Sequence, residues 1–359
     1  MTAKTHAFDR AKAEAFAGSM IGVMNGAAVA LMTSIGHRTG LFDALAGQPA
    51  STSREIATAA NLDERYVREW LGAMATGGVV EHDPAADTYA LPPEHAAFLT
   101  RAASPNNMAV PAQFIAVLGA VEDEVVDAFR HGKGVPYSSY KRFHPVMAEG
   151  SDQTTVAGLE EHILPLVPGL PDRLRRGIDV LDIGCGSGHA LLKMAELYPA
   201  SRFVGYDFSE EGIAAANELA RRRGLTNARF EVRDVTRMNE PRRFDLVTAF
   251  DAVHDQADPA GVLRNIAAAL RPGGVFLMQD IKAHSHVHGN ADQPLIPFIY
   301  TISCMHCMSV SLACGGAGLG AAWGRELATK MLAEAGFTDV TVETLPHDVL
   351  NYYYVARTG

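Results

Sequence analysis

A chain of 359 residues is long enough for two domains, each with a sizeable hydrophobic core. Its 48% hydrophobic and 20% charged content is typical of a globular protein and excludes an intrinsically disordered one. The formal net charge of −10 argues against a large nucleic-acid-binding surface, and four cysteines are too few for a disulfide scaffold and indicate a reducing cytoplasm.

The first 40 residues predict helices and no export or membrane segment. Residues 1–18 mix acidic and basic side chains, unlike a signal peptide. The most apolar stretch, residues 20–35, contains Asn25 and is shorter than the roughly 20 residues that a membrane span needs. We therefore interpret it as part of a buried helix, and we expect no membrane partner.

The next segment has the pattern of a helix-turn-helix followed by a hairpin. Ser53 is a candidate N-cap for the first helix, and Asp63 is one for the second, whose apolar side chains fall on one side. Gly77 and Gly78 end the second helix, and two short strands are predicted over residues 79–81 and 88–91. This order of elements predicts a winged-helix domain.

The charge of the second helix argues against DNA as a partner. A helix that reads DNA presents free arginines and lysines along its length. Here Arg65 and Arg68 are nearly balanced by Asp63, Glu64 and Glu69. We therefore expect no nucleic-acid partner for the winged helix.

The stretch from Asp179 to Pro199 predicts a strand, a tight glycine turn and a helix. A short apolar run ends at glycines 184, 186 and 188, after which apolar residues recur at helical spacing. The spacing differs from the G-x-G-x-x-G of dinucleotide-binding loops, because His189 stands in place of the third glycine. A nucleotide triphosphate loop is also absent from the sequence.

The chemistry of this turn favours an amino acid as ligand. The free N–H groups at the start of the helix suit a carboxylate, and glycines allow a ligand to approach the backbone. Asp182, two residues before Gly184, adds an acidic group suited to an amino group. Amine and carboxylate together describe an amino acid rather than a pyrophosphate.

The second predicted strand, residues 202–206, ends at Asp207. An acidic residue at this position can accept hydrogen bonds from both ribose hydroxyls of a bound nucleoside. Asp207 is also a candidate helix cap, but Ser209 is an equally good one, which leaves Asp207 free for a ligand. Further strands are predicted over residues 228–232, 244–250, 275–278, 338–344 and 351–356, and a last helix is predicted over residues 323–335.

The stretch around Gly184 closely resembles motif I of the class I S-adenosylmethionine-dependent methyltransferases, and the turn Arg271–Gly274 resembles the R/K-P-G-G turn of that family. The resemblance implies an α/β fold: a seven-stranded Rossmann-like sheet of order 3-2-1-4-5-7-6, preceded by a mainly α winged-helix domain as in plant-type O-methyltransferases. It implies three regions: a dimerisation domain over residues 1–100, a helical connection or lid over 101–170, and a cofactor domain over 171–359 with an insertion at 282–320.

The resemblance also implies which residues bind S-adenosylmethionine. Asp234 would accept a hydrogen bond from the adenine amino group, and the Val235 N–H would reach a ring nitrogen; the alternative for Asp234 is a local turn. The residues assigned to the cofactor are Asp182, Gly184, Cys185, Gly186, Gly188, Asp207, Phe208, Asp234, Val235 and Phe250.

The fourth strand ends at Asp251–Asp255, which faces the transferred methyl group in the resembling family. His254 is the candidate general base, as a neutral imidazole near its ordinary pKa of about 6.5. Asp255, assigned with it to catalysis, or Asp251 would orient its other nitrogen. The alternative is that His254 only caps the following helix.

The substrate residues are predicted less directly. The resemblance places the connection over the cofactor, so Tyr140 and His144 are candidates for the substrate pocket, with packing between domains as the alternative. Within the insertion, Tyr300 and His306 are further candidates.

The insertion also raises the question of a metal site. Cys304 and Cys307 form half of a zinc site, but no second pair follows at ligand spacing. We interpret the alternating histidines 284, 286 and 288 as a solvated loop, and we assign no metal.

Together, these features predict a cytoplasmic homodimer that transfers a methyl group from S-adenosylmethionine to a small-molecule acceptor. A hydroxyl oxygen is the leading acceptor, with nitrogen and sulfur left open. The alternatives are a transcriptional regulator that senses S-adenosylmethionine through its winged helix, and a binding protein without transferase activity.

Overall fold

The computed structural model describes residues 8–359, which divide into two compact units, residues 8–116 and Val117–Gly359. The boundary falls inside the predicted connection 101–170, most of which belongs to the second unit. Each unit has its own hydrophobic core.

The first unit is mainly helical. Its elements are α1 (Arg10–Thr39), α2 (Leu41–Ala46), α3 (Ser53–Ala60), α4 (Glu64–Thr76), β1 (Glu81–Asp83), β2 (Thr88–Ala90) and α5 (Pro93–Leu99), with β1 and β2 antiparallel. Trp70 of α4 lies at its centre, packs edge-on against Phe42 and donates a hydrogen bond to the Met32 carbonyl, 2.8 Å away. The predicted winged helix is thus confirmed.

The start of α3 differs from the prediction by one residue. Thr52, not Ser53, is the N-cap: its side chain accepts the Glu55 N–H, and the Glu55 carboxylate accepts the Thr52 N–H. This reciprocal pair is a capping box. Asp63 caps α4 as predicted, by accepting the Arg65 N–H at 3.0 Å.

Helix α1 is not the buried helix that the sequence analysis expected. Its buried residues lie only near its C-terminal end, at positions 33, 34, 36 and 37. Before them the side chains of Phe16, Ile21 and Met24 are 67%, 55% and 60% exposed. The apolar residues are distributed around the helix axis, so no single face could be assigned to a core.

Two helical segments, Arg10–Thr39 and Ile296–Ala313, are long and apolar enough to cross a membrane by length and composition. The second of them is partly packed inside its own unit. A core helix of a globular protein also passes such a test, so these two segments are weak evidence of a membrane span.

The second unit is an α/β domain. After α6 (Ala109–Gly119), which spans the boundary, come α7 (Glu122–His131), α8 (Phe143–Ser151) with two π-helical turns after it, α9 (Leu170–Arg176), β3 (Asp179–Ile183), α10 (His189–Leu197), β4 (Arg202–Asp207), α11 (Glu210–Arg222), β5 (Ala228–Val232), β6 (Phe244–Phe250), α12 (Pro259–Ala269), β7 (Leu270–Ile281), α13 (Ile296–Ile302), α14 (Met308–Ala313), α15 (Gly324–Glu334), β8 (Phe337–Leu345) and β9 (Asp348–Thr358).

The strands form one seven-stranded sheet in the order β5-β4-β3-β6-β7-β9-β8. Counted along the chain from β3, this is the predicted order 3-2-1-4-5-7-6, and β9 is antiparallel to both of its neighbours. Apolar side chains cover both faces of the sheet, such as Leu181 and Val247 on one and Val180 and Leu246 on the other. The parallel strands therefore end together at one edge, where ligands of open α/β sheets bind.

Candidate functional site

A cavity of about 600 Å³ lies at the carboxyl ends of β3, β4 and β6. It is formed entirely by residues of the second unit. All ten residues assigned to the cofactor from the sequence line this cavity. The elements that place them are the strand ends, the glycine turn before α10 and the loop after β5.

The glycine turn between β3 and α10 requires glycine for two reasons. Gly184, Gly186 and Gly188 all have positive φ angles, of 66°, 51° and 73°, which other residues rarely adopt. A Cβ at Gly184 would also lie 2.4 Å from the Ala252 side chain, and one at Gly188 would lie 2.4 Å from Phe230. The turn can therefore pack closely while it turns the first N–H groups of α10 towards the cavity edge.

Asp207 is held in place by the backbone around it. One carboxylate oxygen accepts the Gly186 N–H at 2.8 Å, and the other accepts the Ser209 N–H at 2.8 Å. Ser209 is the N-cap of α11, as the sequence suggested, but Asp207 is not free of structural contacts. Each of its oxygens keeps a second lone pair for a ligand donor, so the carboxylate is preorganised rather than occupied.

Asp182 is a buried carboxyl group that faces the cavity. Its side chain accepts a hydrogen bond from the Thr248 hydroxyl at 2.7 Å and is only 3% exposed. Burial raises the pKa of Asp182 to about 7. The hydrogen bond from Thr248 lowers this pKa, and the nearby charge of Asp207 raises it further. A cationic ligand group beside Asp182 would favour its ionised form.

We expect Asp182→Asn to stabilise the ligand-free protein at pH 8. Because the pKa of Asp182 is raised in the folded state, the folded protein holds a proton that the unfolded chain releases, so stability falls as the pH rises from about 4 to about 7. The substitution removes this loss of folding stability, which is at most about 4 kcal/mol. Urea unfolding at pH 5 and pH 8 measures it.

Asp179, at the other end of the same strand, provides the matched control. A hydrogen bond from Arg202 lowers the pKa of Asp179, and Arg271 adds to the effect. Asp179→Asn should therefore reduce stability at pH 8. If Asp182→Asn also reduces stability at pH 8, the buried carboxylate is not the unfavourable charge inferred here.

The loop after β5 shows one of the two roles foreseen for Asp234, the local turn. Its carboxylate accepts the Thr236 N–H at 3.0 Å, which is the local turn considered as the alternative. The residue nevertheless lines the cavity, and its second oxygen lies 3.4 Å from Arg237. Val235 is buried beside it.

His254 does not line the cavity. It is 2% exposed, with Nδ1 2.8 Å from the Asp280 carboxylate and Nε2 3.1 Å from that of Asp255. Burial opposes a charge on the ring, but the carboxylates of Asp280 and Asp255 outweigh it and raise the pKa of His254 well above its ordinary value. This buried position differs from the substrate-facing imidazole that the sequence predicts, and Asp255 is the member of the pair that reaches the cavity.

Asp280 is a hydrogen-bond partner of His254 that the sequence analysis did not assign. It is fully buried at the end of β7, and one oxygen accepts both the His254 ring and the Trp323 indole N–H, the latter at 2.9 Å. The expected orienting residue was Asp251 or Asp255. Asp251 lies farther off, 3.9 Å from Nδ1, and has a left-handed backbone with a φ of 56° at the end of β6.

Of the four predicted substrate residues, only His144 lines the cavity, where its Nε2 lies 3.0 Å from the Ser209 hydroxyl. The Tyr140 hydroxyl instead donates to the Met305 carbonyl, and the Tyr300 hydroxyl accepts from the Asn290 amide at 3.2 Å. Neither tyrosine lines the cavity, and their substrate roles stay predictions.

His306 is also behind the cavity wall. Its ring is fully buried and stacks on Phe143, with ring centroids 3.5 Å apart. Burial lowers the pKa of His306 to about 4, so the ring is neutral. The apolar side of the cavity comes from Tyr137, Phe143 and Met147, which the sequence analysis did not assign to the site. Of these, Met147 stands at helical spacing from His144, three residues after it.

Within residues 8–359, two groups of side chains have the spacing of metal ligands: His254 with Asp255 and Cys307, and His254 with Asp251 and Asp280. Cys304, the other half of the predicted cysteine pair, belongs to neither group.

Two domain families match this chain. Residues 27–101 match the Rv2258c-like winged HTH domain, and residues 174–336 match a methyltransferase domain. The chain thus contains a methyltransferase domain that is preceded by a winged-helix domain. The second match begins before β3 and ends at the start of β8, so it contains the glycine turn and the strand ends around the cavity.

Curated relatives align with part of this methyltransferase domain. Trans-aconitate 2-methyltransferase of Variovorax paradoxus is 35% identical over 120 residues, which are 33% of this chain and 42% of that protein. Ubiquinone biosynthesis O-methyltransferase of Coxiella burnetii is 32% identical over 107 residues, 30% of this chain and 44% of that protein. The chain thus spans less than half the length of these curated relatives.

The fold of the whole methyltransferase chain has solved counterparts. Human N-acetylserotonin methyltransferase, solved in complex with S-adenosylmethionine, superposes with a TM-score of 0.68 at 17% identity, covering 100% of both chains. At this identity the likeness concerns the fold, which confirms the expected arrangement of winged helix and Rossmann-like sheet.

Proposed function

We propose that this methyltransferase transfers a methyl group from S-adenosylmethionine to the hydroxyl oxygen of a small molecule in the cytoplasm. The observation that carries the proposal is the order of polar groups along one cavity. A buried carboxyl, a glycine turn at a helix start, a preorganised carboxylate and the Asp234 loop follow one another, and each suits one part of an adenosylated amino acid. All four cysteines are free, which supports a reducing compartment.

The residues fit this cofactor from one end to the other. Asp182 would hold the amino group, and the N–H groups after Gly186 would hold the carboxylate. Asp207 would accept both ribose hydroxyls, and Asp234 the adenine amino group. When bound, S-adenosylmethionine supplies a methyl group already activated on a sulfonium. The protein's task is then mainly to position the acceptor.

The acceptor side of the cavity is mainly apolar, with carboxylates after the end of β6. Tyr137, Phe143, Met147 and Val310 provide aromatic and aliphatic surface, and Asp251 and Asp255 provide the carboxylates. Asp255 would accept a hydrogen bond from an acceptor hydroxyl and take up its proton as the methyl group moves. The base role that the sequence gave to His254 thus passes to Asp255, with His254 and Asp280 as positioning residues behind it.

Calorimetry with the full chain tests this function. We expect binding heats with S-adenosylmethionine and with S-adenosylhomocysteine, and none with NAD as the control nucleotide. Transfer of a labelled methyl group to a panel of small phenols, amines and thiols then identifies the acceptor atom. Binding of NAD without any binding of S-adenosylmethionine would refute the proposal.

A regulator that reads DNA is disfavoured by the winged helix itself. On α4 the Arg68 guanidinium lies 3.3 Å from Glu64, and Arg65 is bonded to Glu69. Arginines neutralised within their own helix are poor phosphate ligands. We therefore propose no nucleic-acid partner.

We further propose that the protein is a homodimer joined through α1. This 30-residue helix exposes large apolar side chains over most of its length, and such surfaces usually mark an interface. The double substitution Ile21→Glu with Met24→Glu should convert a dimer into a monomer, as measured by light scattering. Ser19→Glu, an equally exposed polar position on the same helix, is the control and should leave the dimer intact.

Two outcomes would contradict this dimer. One is a wild-type protein that is monomeric in solution at micromolar concentration. The other is a wild-type monomer that co-sediments with phosphatidylcholine vesicles through α1, since that would make a lipid surface the partner of this helix.

A further inference from the structure

Behind Asp255 lies a buried polar cluster with too few hydrogen-bond partners. Both ring nitrogens of His306 and one oxygen of Asp280 are buried without a hydrogen-bond partner within the described part of the chain, and the buried Asp255 Oδ1 has the His254 ring 3.1 Å away. Each unsatisfied buried group costs roughly 1–3 kcal/mol. Asp255 is the member of this cluster that reaches the cavity, so it is the place where a ligand can add a partner.

We propose that His254, Asp255 and Cys307 bind a zinc ion at the acceptor end of the cavity. Their ligand atoms all lie within 4.8 Å of one another, close enough for small side-chain movements to bring them onto one ion. Imidazole nitrogen, carboxylate oxygen and thiolate sulfur are the ligands that zinc takes. A carboxylate and a thiolate also balance the two charges of the ion, so the ion and its three ligands together carry no net charge.

The surroundings of His254 favour this ligand set. Its Nδ1 is 2.8 Å from an Asp280 oxygen that also accepts the Ile281 N–H and the Trp323 indole N–H. A carboxylate that is hydrogen-bonded to one ring nitrogen leaves the other nitrogen to bind the metal. Zinc-bound histidines are usually supported by such a carboxylate. The alternative group, with Asp251 and Asp280, would need the Nδ1 that Asp280 already holds.

The site is accessible from the cavity. Asp255 lines the cavity wall, so an ion can enter and a fourth position can face the acceptor. Three protein ligands with an open position are the arrangement of catalytic zinc sites. An acceptor hydroxyl or thiol bound there would lose its proton at a lower pH than in water. This catalytic consequence rests on the proposed methyl transfer, whereas the binding of the ion does not.

Other histidines and cysteines of the insertion do not form this site. His284, His286 and His288 have neighbouring rings, with centroids 5.6–5.7 Å apart, but no cysteine belongs to that group. Cys304 precedes Cys307 by three residues and lies outside the cluster. The cobalt spectrum described next distinguishes the two places, because only the proposed site includes a thiolate.

The test measures metal binding by the untagged full chain. After dialysis against zinc and then buffer, the wild type and the control Cys304→Ser should retain about one zinc per chain, whereas Cys307→Ser should bind zinc at least about 10-fold more weakly, the usual effect of losing support for a metal ligand. Cobalt in place of zinc should give a thiolate-to-metal absorption band in the wild type that is missing in Cys307→Ser.

Three results would overturn the site: a wild type without retained zinc, a wild-type cobalt complex without the thiolate band, or a Cys307→Ser protein with the same band. The wild-type cobalt spectrum decides the matter even if Cys307→Ser does not fold. Calorimetry with S-adenosylmethionine on the same preparations separates the proposals. Intact cofactor binding without metal would remove the zinc site alone, and zinc binding without cofactor binding would remove the methyl-transfer function alone.

Discussion

Replacing Asp207 by alanine is expected to weaken S-adenosylmethionine binding by about 100-fold or more. Two hydrogen bonds from ligand hydroxyls to a charged carboxylate would be lost, each worth roughly 1.5–3 kcal/mol. The substitution also frees the N–H groups of Gly186 and Ser209, which the carboxylate now accepts at 2.8 Å, and so loosens the glycine turn. Titration calorimetry with S-adenosylhomocysteine measures the affinity without turnover.

Two further variants make this result interpretable. Asp207→Asn keeps the shape and one acceptor oxygen, so it should fold as the wild type does and still lose most of the affinity. Glu210→Gln, three residues on at the exposed start of α11 and outside the cavity, should bind normally. Wild-type affinity in a folded Asp207→Asn would show that this carboxylate does not contact the cofactor.

The cofactor half of the site could be predicted because its signals are local in the sequence. Parallel strands buried on both faces read as short apolar runs, and β4, β5 and β6 include the residues predicted for them. The residue after such a run lies at the carboxyl edge of the sheet. Asp207 and the glycine turn could therefore be placed at one site before any contact was known.

The acceptor half could not be predicted in the same way. Tyr140, His144 and Phe143 lie within one aromatic segment, and helical spacing alone does not say which ring faces a cavity and which packs behind it. The structure places His144 and Phe143 at the cavity and bonds Tyr140 to the Met305 carbonyl of the distant insertion. That contact joins residues 165 positions apart, for which the sequence holds no periodic signal.

The contact between His254 and Asp280 could be predicted in part. The two residues are 26 positions apart, yet each follows or ends one of two adjacent strands, β6 and β7. The strand order implied by the resemblance places those strands side by side. The partner of His254 could thus have been inferred from the predicted sheet. The raised pKa of His254 could not, because it depends on how closely the Asp280 and Asp255 carboxylates approach the ring, which only the structure shows.

Replacing Asp255 by asparagine is expected to lower kcat by roughly 100-fold to 10,000-fold, the range associated with a lost proton acceptor. Asp255 is the carboxylate proposed to meet the acceptor, while Asp182 and Asp207, which line the same cavity, are proposed to bind the cofactor. Affinity for S-adenosylmethionine should therefore remain close to that of the wild type, and the loss should appear in turnover with the identified acceptor. Asp292→Asn, at an exposed position outside the cavity, is the control and should retain full turnover.

The role of His254 is resolved by the same assay. His254→Ala removes the ring that lies 3.1 Å from Asp255 and 2.8 Å from Asp280, so it should lower turnover without changing cofactor affinity. Comparison with Cys307→Ser then separates two origins of this effect. If zinc joins these side chains, Cys307→Ser also loses turnover, and excess zinc, which refills the weakened site, restores part of it. If His254 only positions Asp255, Cys307→Ser keeps wild-type turnover. Full activity in Asp255→Asn would contradict both mechanisms, because each requires that carboxylate at the acceptor.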